Sequence, residues 1–281
     1  MKRLFAMIIC ASAMLACSSS SKPVDSAAND KTEATANESA EIASEATDNA
    51  SATESEGVAY FSPQFSAKLH PVNVPEGTKV SFVSIPATDK KLEAKEVYGA
   101  FEFKYPVFGI AEIDKTIEQY AKDAIEKSRE ELSSQYEYTK DSLPREELEG
   151  YHHTMEYEIV RSSVEDGVDV LFIHEGYTGG AHGFFFVEPL MIDKSGKILT
   201  LSDIYDDVPA ALQRLSEESR RILPQAVDNA EEFEDMIKDG TTPEPENYSA
   251  ILRTNKGVRV YFNPYSVAPW SAGILAIDFD N

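Results

Sequence analysis

The 281-residue chain carries 49 Asp and Glu against 26 Lys and Arg, a net charge of −23 at pH 7, with 42% of its residues hydrophobic. A chain this acidic repels nucleic acid and anionic headgroups, which excludes both as charge-driven partners. Both cysteines, Cys10 and Cys17, lie near the start of the sequence, so the rest has no thiol for a disulfide, a nucleophile or a zinc–thiolate site.

Lys2 and Arg3 precede a mostly apolar stretch, Leu4 to Leu15, and a small residue, Ala16. These are the parts of a secretory leader, and the stretch is too short to span a bilayer comfortably. Met14-Leu15-Ala16-Cys17 resembles the lipobox of bacterial lipoproteins, which implies lipidation of Cys17 and attachment to a membrane through that lipid. Ser18 rather than Asp after the cysteine implies the outer membrane, facing the periplasm, in an organism that has one. Residues 17–57 then read as a tether. From Ser18 on it has no aromatic residue and nine acidic residues against Lys22 and Lys31, too little apolar surface to offset the entropy of ordering. Forty such residues reach roughly 35 Å as flexible coil.

Val58 to Asn281 holds 22 Lys and Arg against 40 Asp and Glu, a charge of −18. A stretch of that length suits one domain or two intimately packed subdomains, an N-terminal half at 58–150 and a C-terminal half at 151–281. Lys79 to Ile85 and Glu96 to Tyr105 alternate polar and apolar residues and predict strands. Ile113, Ile117, Tyr120, Ala121, Ala124 and Leu132 recur at helical spacing and predict a long amphipathic helix from Ile110 to about Leu132. The polar Ser133 to Gly150 reads as a connection. Thr154 to Ser163 and Val168 to Glu175 form a hairpin through Glu165-Asp166-Gly167. A bend rich in glycine (Gly176, Gly179, Gly180, Gly183) leads to a third strand, Gly183 to Ile192, and a turn back into Ile198 to Thr200. Ser202 is placed to cap a short turn, Pro209 opens a helix, and Asp228 with Glu231 starts another that ends at Gly240. A hairpin (Ser249–Thr254 and Val258–Asn263) and a last strand from Ile274 to Phe279 complete the chain. Antiparallel groups with intervening helices predict an α+β fold.

Two stretches are candidates for function. The bend holds Tyr177 and His182 among its glycines. The connection from Asn263 to Gly273 holds the only Trp, Trp270, with Tyr265, Pro264 and Pro269; stiff aromatic loops suit recognition because docking orders little. The competing reading folds Trp270 and Tyr265 inward to plug a sheet edge.

The bend with Ile192-Asp193, Gly196-Lys197, Leu201-Ser202-Asp203-Ile204-Tyr205, Tyr261-Phe262 to Tyr265, and Ala268-Pro269-Trp270-Ser271-Ala272-Gly273 resembles, in order, the extracellular domain of the sigma-V anti-sigma factor and the accessory domain preceding a peptidoglycan deacetylase. Val97 to Leu132 is similar to the companion N-terminal half. The resemblance implies binding of lysozyme or proximity to wall chemistry. With neither a sigma-factor-holding segment nor a deacetylase domain in this sequence, it implies the binding module on a lipid anchor. Phe184 and Phe185 depart from the polar residues common there.

The leading expectation is therefore a non-catalytic envelope lipoprotein binding a basic lysozyme-like protein or peptidoglycan. It would bind through Tyr177, Gly179, Gly180, His182, Tyr265, Pro269 and Trp270, with no metal and no cofactor. One alternative is a metal-dependent hydrolase of wall glycan, drawing on His70, His152, His153, His174 and His182, with His174 and His182 meeting across the bend and Glu175 or Glu156 as base. Against it, no HxxxH spacing occurs, adjacent His152 and His153 would face opposite sides of a strand, and no serine elbow or phosphate loop is present. A third reading is a structural lipoprotein of an envelope assembly.

Overall fold

The computed structural model describes residues 68–148 and 150–280. The leader, Cys17, the tether and the start of the domain at Val58 lie outside the described residues. The fold is α+β, with two sheets and several helices.

Among the described residues ten strands and five α-helices follow one another: β1 (Leu69–Asn73), β2 (Phe82–Val83), β3 (Thr88–Glu96), β4 (Gly99–Val107), α1 (Ala111–Thr139), α2 (Arg145–Leu148), β5 (His152–Ser163), β6 (Gly167–Tyr177), β7 (Phe184–Ile192), α3 (Leu201–Ile204), α4 (Val208–Ile222), α5 (Glu234–Gly240), β8 (Ile251–Arg253), β9 (Gly257–Phe262) and β10 (Ile274–Asp280). One sheet runs β3-β4-β5-β6-β7, with β2 paired to the far end of β5. The other runs β1-β10-β9-β8. The first sheet draws strands from both sides of residue 150, because β4 lies parallel to β5.

Strand β6 is the hinge of the packing, since it is buried along both faces. A strand with two buried faces reads as a nearly continuous apolar run, and Val168 to Ile173 is that run. Its even positions, Val168, Val170 and Phe172, join Phe101, Phe103 and Met155 under α1. Its odd positions, Leu171 and Ile173, join Phe185 and Val187 of β7 against Val258, Val260, Ile274 and Ile277 of the second sheet, in a core to which α4 and α5 add Leu212, Leu215, Ile222 and Ile237.

Helix α1 buries Ile113, Ile117, Ala121, Ile125 and Leu132, a stripe at the four-residue spacing of one helical face. Its start is pinned by the Asp114 carboxylate, which accepts the Phe108 amide proton at 2.7 Å. The helix continues well past the expected end. No Gly or Pro occurs between Leu132 and Pro144, so nothing breaks the hydrogen-bond ladder, and polarity alone does not end a helix.

Other expectations shift for identifiable reasons. Glu96 belongs to β3 rather than β4, with a turn at Val97 and Tyr98. Strand β3 escaped notice because TDKKLEAKE is mostly exposed; its charges suit a sheet edge that must not recruit partners. Of Lys79 to Ile85 only Phe82–Val83 is strand, and Ser162 Oγ takes up the Ile85 amide at 2.9 Å. Ile198 makes a single bridge to Ile192 instead of a strand. The helix expected from Asp228 is interrupted: Asn229 adopts a left-handed φ of 53°, a 3-10 turn covers Ala230–Phe233, and α5 follows. Pro209 does open its helix, and Asp207 caps it by accepting the Ala210 amide at 3.0 Å. Among the described residues no helix is long and apolar enough to cross a membrane.

Candidate functional site

The two stretches singled out from the sequence meet at one corner. Strand β7 has a free edge after β6, and Asn263, the residue following β9, closes it. Its side chain donates to the Val187 carbonyl at 3.0 Å and accepts the Val187 amide at 2.8 Å, standing in for a neighbouring strand. This clamp holds the start of the aromatic loop against β7. The loop then turns tightly, with Ser266 N donating to Asn263 O at 3.0 Å and Tyr265 N to Ala268 O at 2.9 Å. Val267 and Ala268 point inward and are buried. The loop sits so close to the end of α5 that a Cβ on Gly240 would lie 1.9 Å from the Ser266 carbonyl oxygen; only glycine fits there.

Tyr265 is held at φ 68°, a left-handed conformation that costs a bulky residue roughly 1–3 kcal/mol. Its ring is 55% exposed, and its hydroxyl lies 3.2 Å from His182 Nε2. His182 Nδ1 is 2.8 Å from the Gly183 carbonyl. A carbonyl only accepts, so Nδ1 carries the proton and Nε2 accepts from Tyr265. The His182 ring stacks on Trp270, centroids 4.4 Å apart and planes 26° from parallel. Trp270 also meets Phe185 edge-on at 5.4 Å, and the Lys68 ammonium lies over Phe185 at 4.8 Å while pairing with Glu175. Pro269, extended at φ −63°, precedes the short 3-10 turn Trp270–Ala272. Trp270 is half-buried, between the two alternatives set out above, and its Nε1 is buried without a hydrogen-bond partner among the described residues.

The remaining singled-out residues stand apart from these rings. Tyr177 packs edge-on against Tyr151 at 6.3 Å and donates to the Gly180 carbonyl at 3.0 Å. Gly179, at φ 93°, lies over the Tyr151 hydroxyl, which a Cβ would approach to 2.8 Å. Tyr177, Gly179 and Gly180 thus shape the bend, while His182, Tyr265 and Trp270 make the aromatic surface. Lys68, Phe185 and Asn263 belong to that surface and were not among the expected binding residues. Asn263 left a trace in the sequence as the polar residue ending an apolar strand just before a proline, and Phe185 as a departure from the polar residues of the resembling family.

His174 does not meet His182. On β6 it occupies an even position and points under α1, whereas His182 lies within the bend, against Trp270. The partner of His174 is His153, whose Nε2 is 3.0 Å from His174 Nδ1. His174 Nε2 lies 3.5 Å from the Glu188 carboxylate, which accepts the Tyr120 hydroxyl at 2.5 Å. His152 is exposed and His153 buried, on opposite faces of β5. Glu175 is paired with Lys68, and Glu156 with Lys104 at 2.6 Å on the exposed side of the sheet. Among the described residues no group of three His, Cys, Asp or Glu side chains is placed to hold a metal ion.

Residues 202–280 match the family model described as "Protein of unknown function (DUF3298)". The matched segment runs from α3 to β10 and supplies Asn263, Tyr265, Pro269 and Trp270; His182, Phe185 and Lys68 lie outside it. The peptidoglycan-N-acetylmuramic acid deacetylase PdaC of Bacillus subtilis (strain 168) is 26% identical over 182 residues, which are 63% of this chain and 36% of PdaC. The chain therefore spans about a third of the length of that relative. Among solved structures, a DUF3298 family protein of Pseudomonas aeruginosa PAO1 is 18% identical with a TM-score of 0.48, covering 69% of this chain and 91% of its own. A DUF3298 member from Bacteroides fragilis NCTC 9343 is also 18% identical, with a TM-score of 0.43 and coverages of 72% and 92%.

Proposed function

We propose that this chain is a non-catalytic recognition module of the cell envelope, tethered through a lipid on Cys17, that docks a basic lysozyme-type muramidase or the peptidoglycan such an enzyme works on. One observation carries the reading. A bulky tyrosine is kept in a left-handed conformation with its ring in solvent, beside a tryptophan stacked on histidine. For the backbone tyrosine is the costlier choice, since glycine would sit at position 265 without strain. Rings presented this way are typical anchors of binding, because rigid aromatic area loses little freedom on docking. The wall link draws support from the name of the relative, a peptidoglycan deacetylase. The charge of −18 on residues 58–281 favours a basic partner by speeding encounter at low salt.

Calorimetric titration with a basic lysozyme and with soluble peptidoglycan fragments, each at low and high salt, tests the reading. Binding to the enzyme should weaken steeply with salt, and binding to glycan should not. Trp270→Ala should weaken the bound species by roughly 30-fold or more, corresponding to about 2 kcal/mol. No heat with either titrant at low ionic strength would refute the proposal.

A further inference from the structure

Tyr120, Glu188, His174 and His153 line up from α1, β7, β6 and β5 inside the first core, with His174 Nε2 buried 3.5 Å from Glu188 and without a hydrogen-bond partner among the described residues, and the corner does not use them. His153 and His174 are 5% and 2% exposed. Phe103 of β4 lies edge-on to both rings, at 4.9 and 5.8 Å. From β7, Phe184 lies edge-on to His153 at 4.9 Å, and Phe186 stacks on His174 at 4.5 Å with the planes 6° from parallel. Between them Phe185 points to the opposite face, where it meets Trp270. Three consecutive phenylalanines thus connect the histidine pair to the aromatic corner through one strand.

We infer that this is an acid-responsive latch: proton uptake by the His153–His174 pair releases the Phe184–Phe186 end of β7 and, through Phe185, loosens the Trp270 corner. One hydrogen bond between two imidazoles requires one ring to donate and the other to accept, so the bond cannot survive protonation of both rings. Burial, with Lys127 nearby, holds His174 down to about 3, and burial together with the His174 charge holds His153 far below its usual range. The groups facing the pair do not reverse this. From β7 comes Glu188, from α1 come Tyr120, Lys127 and Glu131, from β5 the neighbouring His152, and β4 offers Phe103 alone. The Glu131 carboxyl is itself pushed up by burial, so in acid it becomes neutral early and cannot balance a charged pair. Protons therefore bind the opened strand in preference to the closed one. The open population should rise by up to about 10-fold per histidine, or 100-fold for the pair, for each pH unit below about 6.5.

The latch is independent of what the corner binds. Trp270 is the only tryptophan, so its fluorescence reports on the corner directly. The measurement is made in a His182→Ala background, so that the ring stacked on Trp270 does not contribute, alongside far-ultraviolet circular dichroism from pH 7.5 to 3.5. The emission should shift at a pH above the loss of secondary structure, and adding His153→Phe should lower that midpoint by about one pH unit. A shift that coincides with global unfolding, or that His153→Phe leaves in place, overturns the latch. Should His153→Phe fail to fold, amide exchange of the unsubstituted protein decides. Protection at residues 184–187 should fall at least 10-fold more per pH unit than in β9; a parallel fall overturns the inference.

Discussion

His174 and Asp169 lie on one strand, both sealed from water, and they are kept there by opposite means. Asp169 faces the second sheet. It receives Arg253 Nε at 3.1 and 3.0 Å on its two oxygens and a further bond from Nη2, and it forms an ion pair with Arg161, whose Nε lies 3.4 Å away. Arg253 belongs to β8, so this pair ties the two sheets together. A second buried pair, Arg259–Asp278, with bonds of 2.7 and 2.8 Å, links β9 and β10. On the α1 face the pair itself is uncharged: His153 and His174 are neutral rings among phenylalanines, with the Glu188 carboxylate 3.5 Å from His174 Nε2. The ionic face is thus held by opposite charges, with burial raising the Asp169 carboxyl against the opposing pull of Arg253, and the neutral face holds only while it stays unprotonated. One strand carries both a permanent tie and a conditional one.

The largest expected effect comes from breaking the permanent tie. Asp169→Ala leaves two guanidinium groups partly buried without their carboxylate and should cost about 3–5 kcal/mol, read from urea unfolding at pH 7. A loss below about 1 kcal/mol would mean that the ion pair is not what joins the sheets.

Next comes the conditional tie. Both histidines titrate lower in the folded than in the unfolded chain, so between about pH 6.5 and pH 3 the unfolded chain binds more protons. Their contribution is therefore fully present above about pH 6.5 and falls away as pH drops. With two sites the slope approaches about 2.7 kcal/mol per pH unit. Urea unfolding at pH 7 and pH 5.5 should show a decrease of a few kcal/mol, and equal stability at both would contradict a neutral buried pair.

Glu158 sharpens the contrast from the ionic side, where one of its oxygens is buried without a hydrogen-bond partner among the described residues and burial raises its pKa to about 8. Here the sign is opposite. Stability is present below about pH 4.5 and lost as pH rises toward 8, because the unfolded chain has then given up a proton that the fold retains. Discounted for partial exposure, Glu158→Gln should stabilise the fold by about 1–2 kcal/mol at pH 8 and leave it unchanged at pH 4.5. The smallest effect is expected at Tyr265→Gly, which relieves the left-handed backbone and should raise stability by at most about 1 kcal/mol while removing a binding anchor. A loss of stability there would show that the ring serves the fold.

The difference between the two faces also explains what could be read from the amino-acid order. Amphipathic α1 and the doubly buried β6 announce themselves through local periodicity, and so does the hairpin at Glu165-Asp166-Gly167. Strand β1 does not: LHPVN carries a proline, and its place comes from parallel pairing with β10, the last strand in chain order. The corner was legible as two separate stretches, because rings beside glycine and proline are unusual in composition. That His182 would stack on Trp270 was not legible, since the stack depends on the Asn263 clamp across β7. The histidine pair was hidden for a similar reason. His153 and His174 are far apart in the sequence, and only the β5–β6 register, pairing His153 with Gly176 and Met155 with His174, brings their rings together.

The central claim is that the aromatic corner is where this protein meets its partner. Backbone amide shifts recorded by NMR during titration with a basic lysozyme, and separately with soluble peptidoglycan fragments, test it most directly. The account predicts saturable shifts centred on Lys68, His182, Tyr265 and Trp270 and absent from β3, with loss of the response in Trp270→Ala. Binding that perturbs the β3–β4 face and leaves the corner unmoved would contradict it.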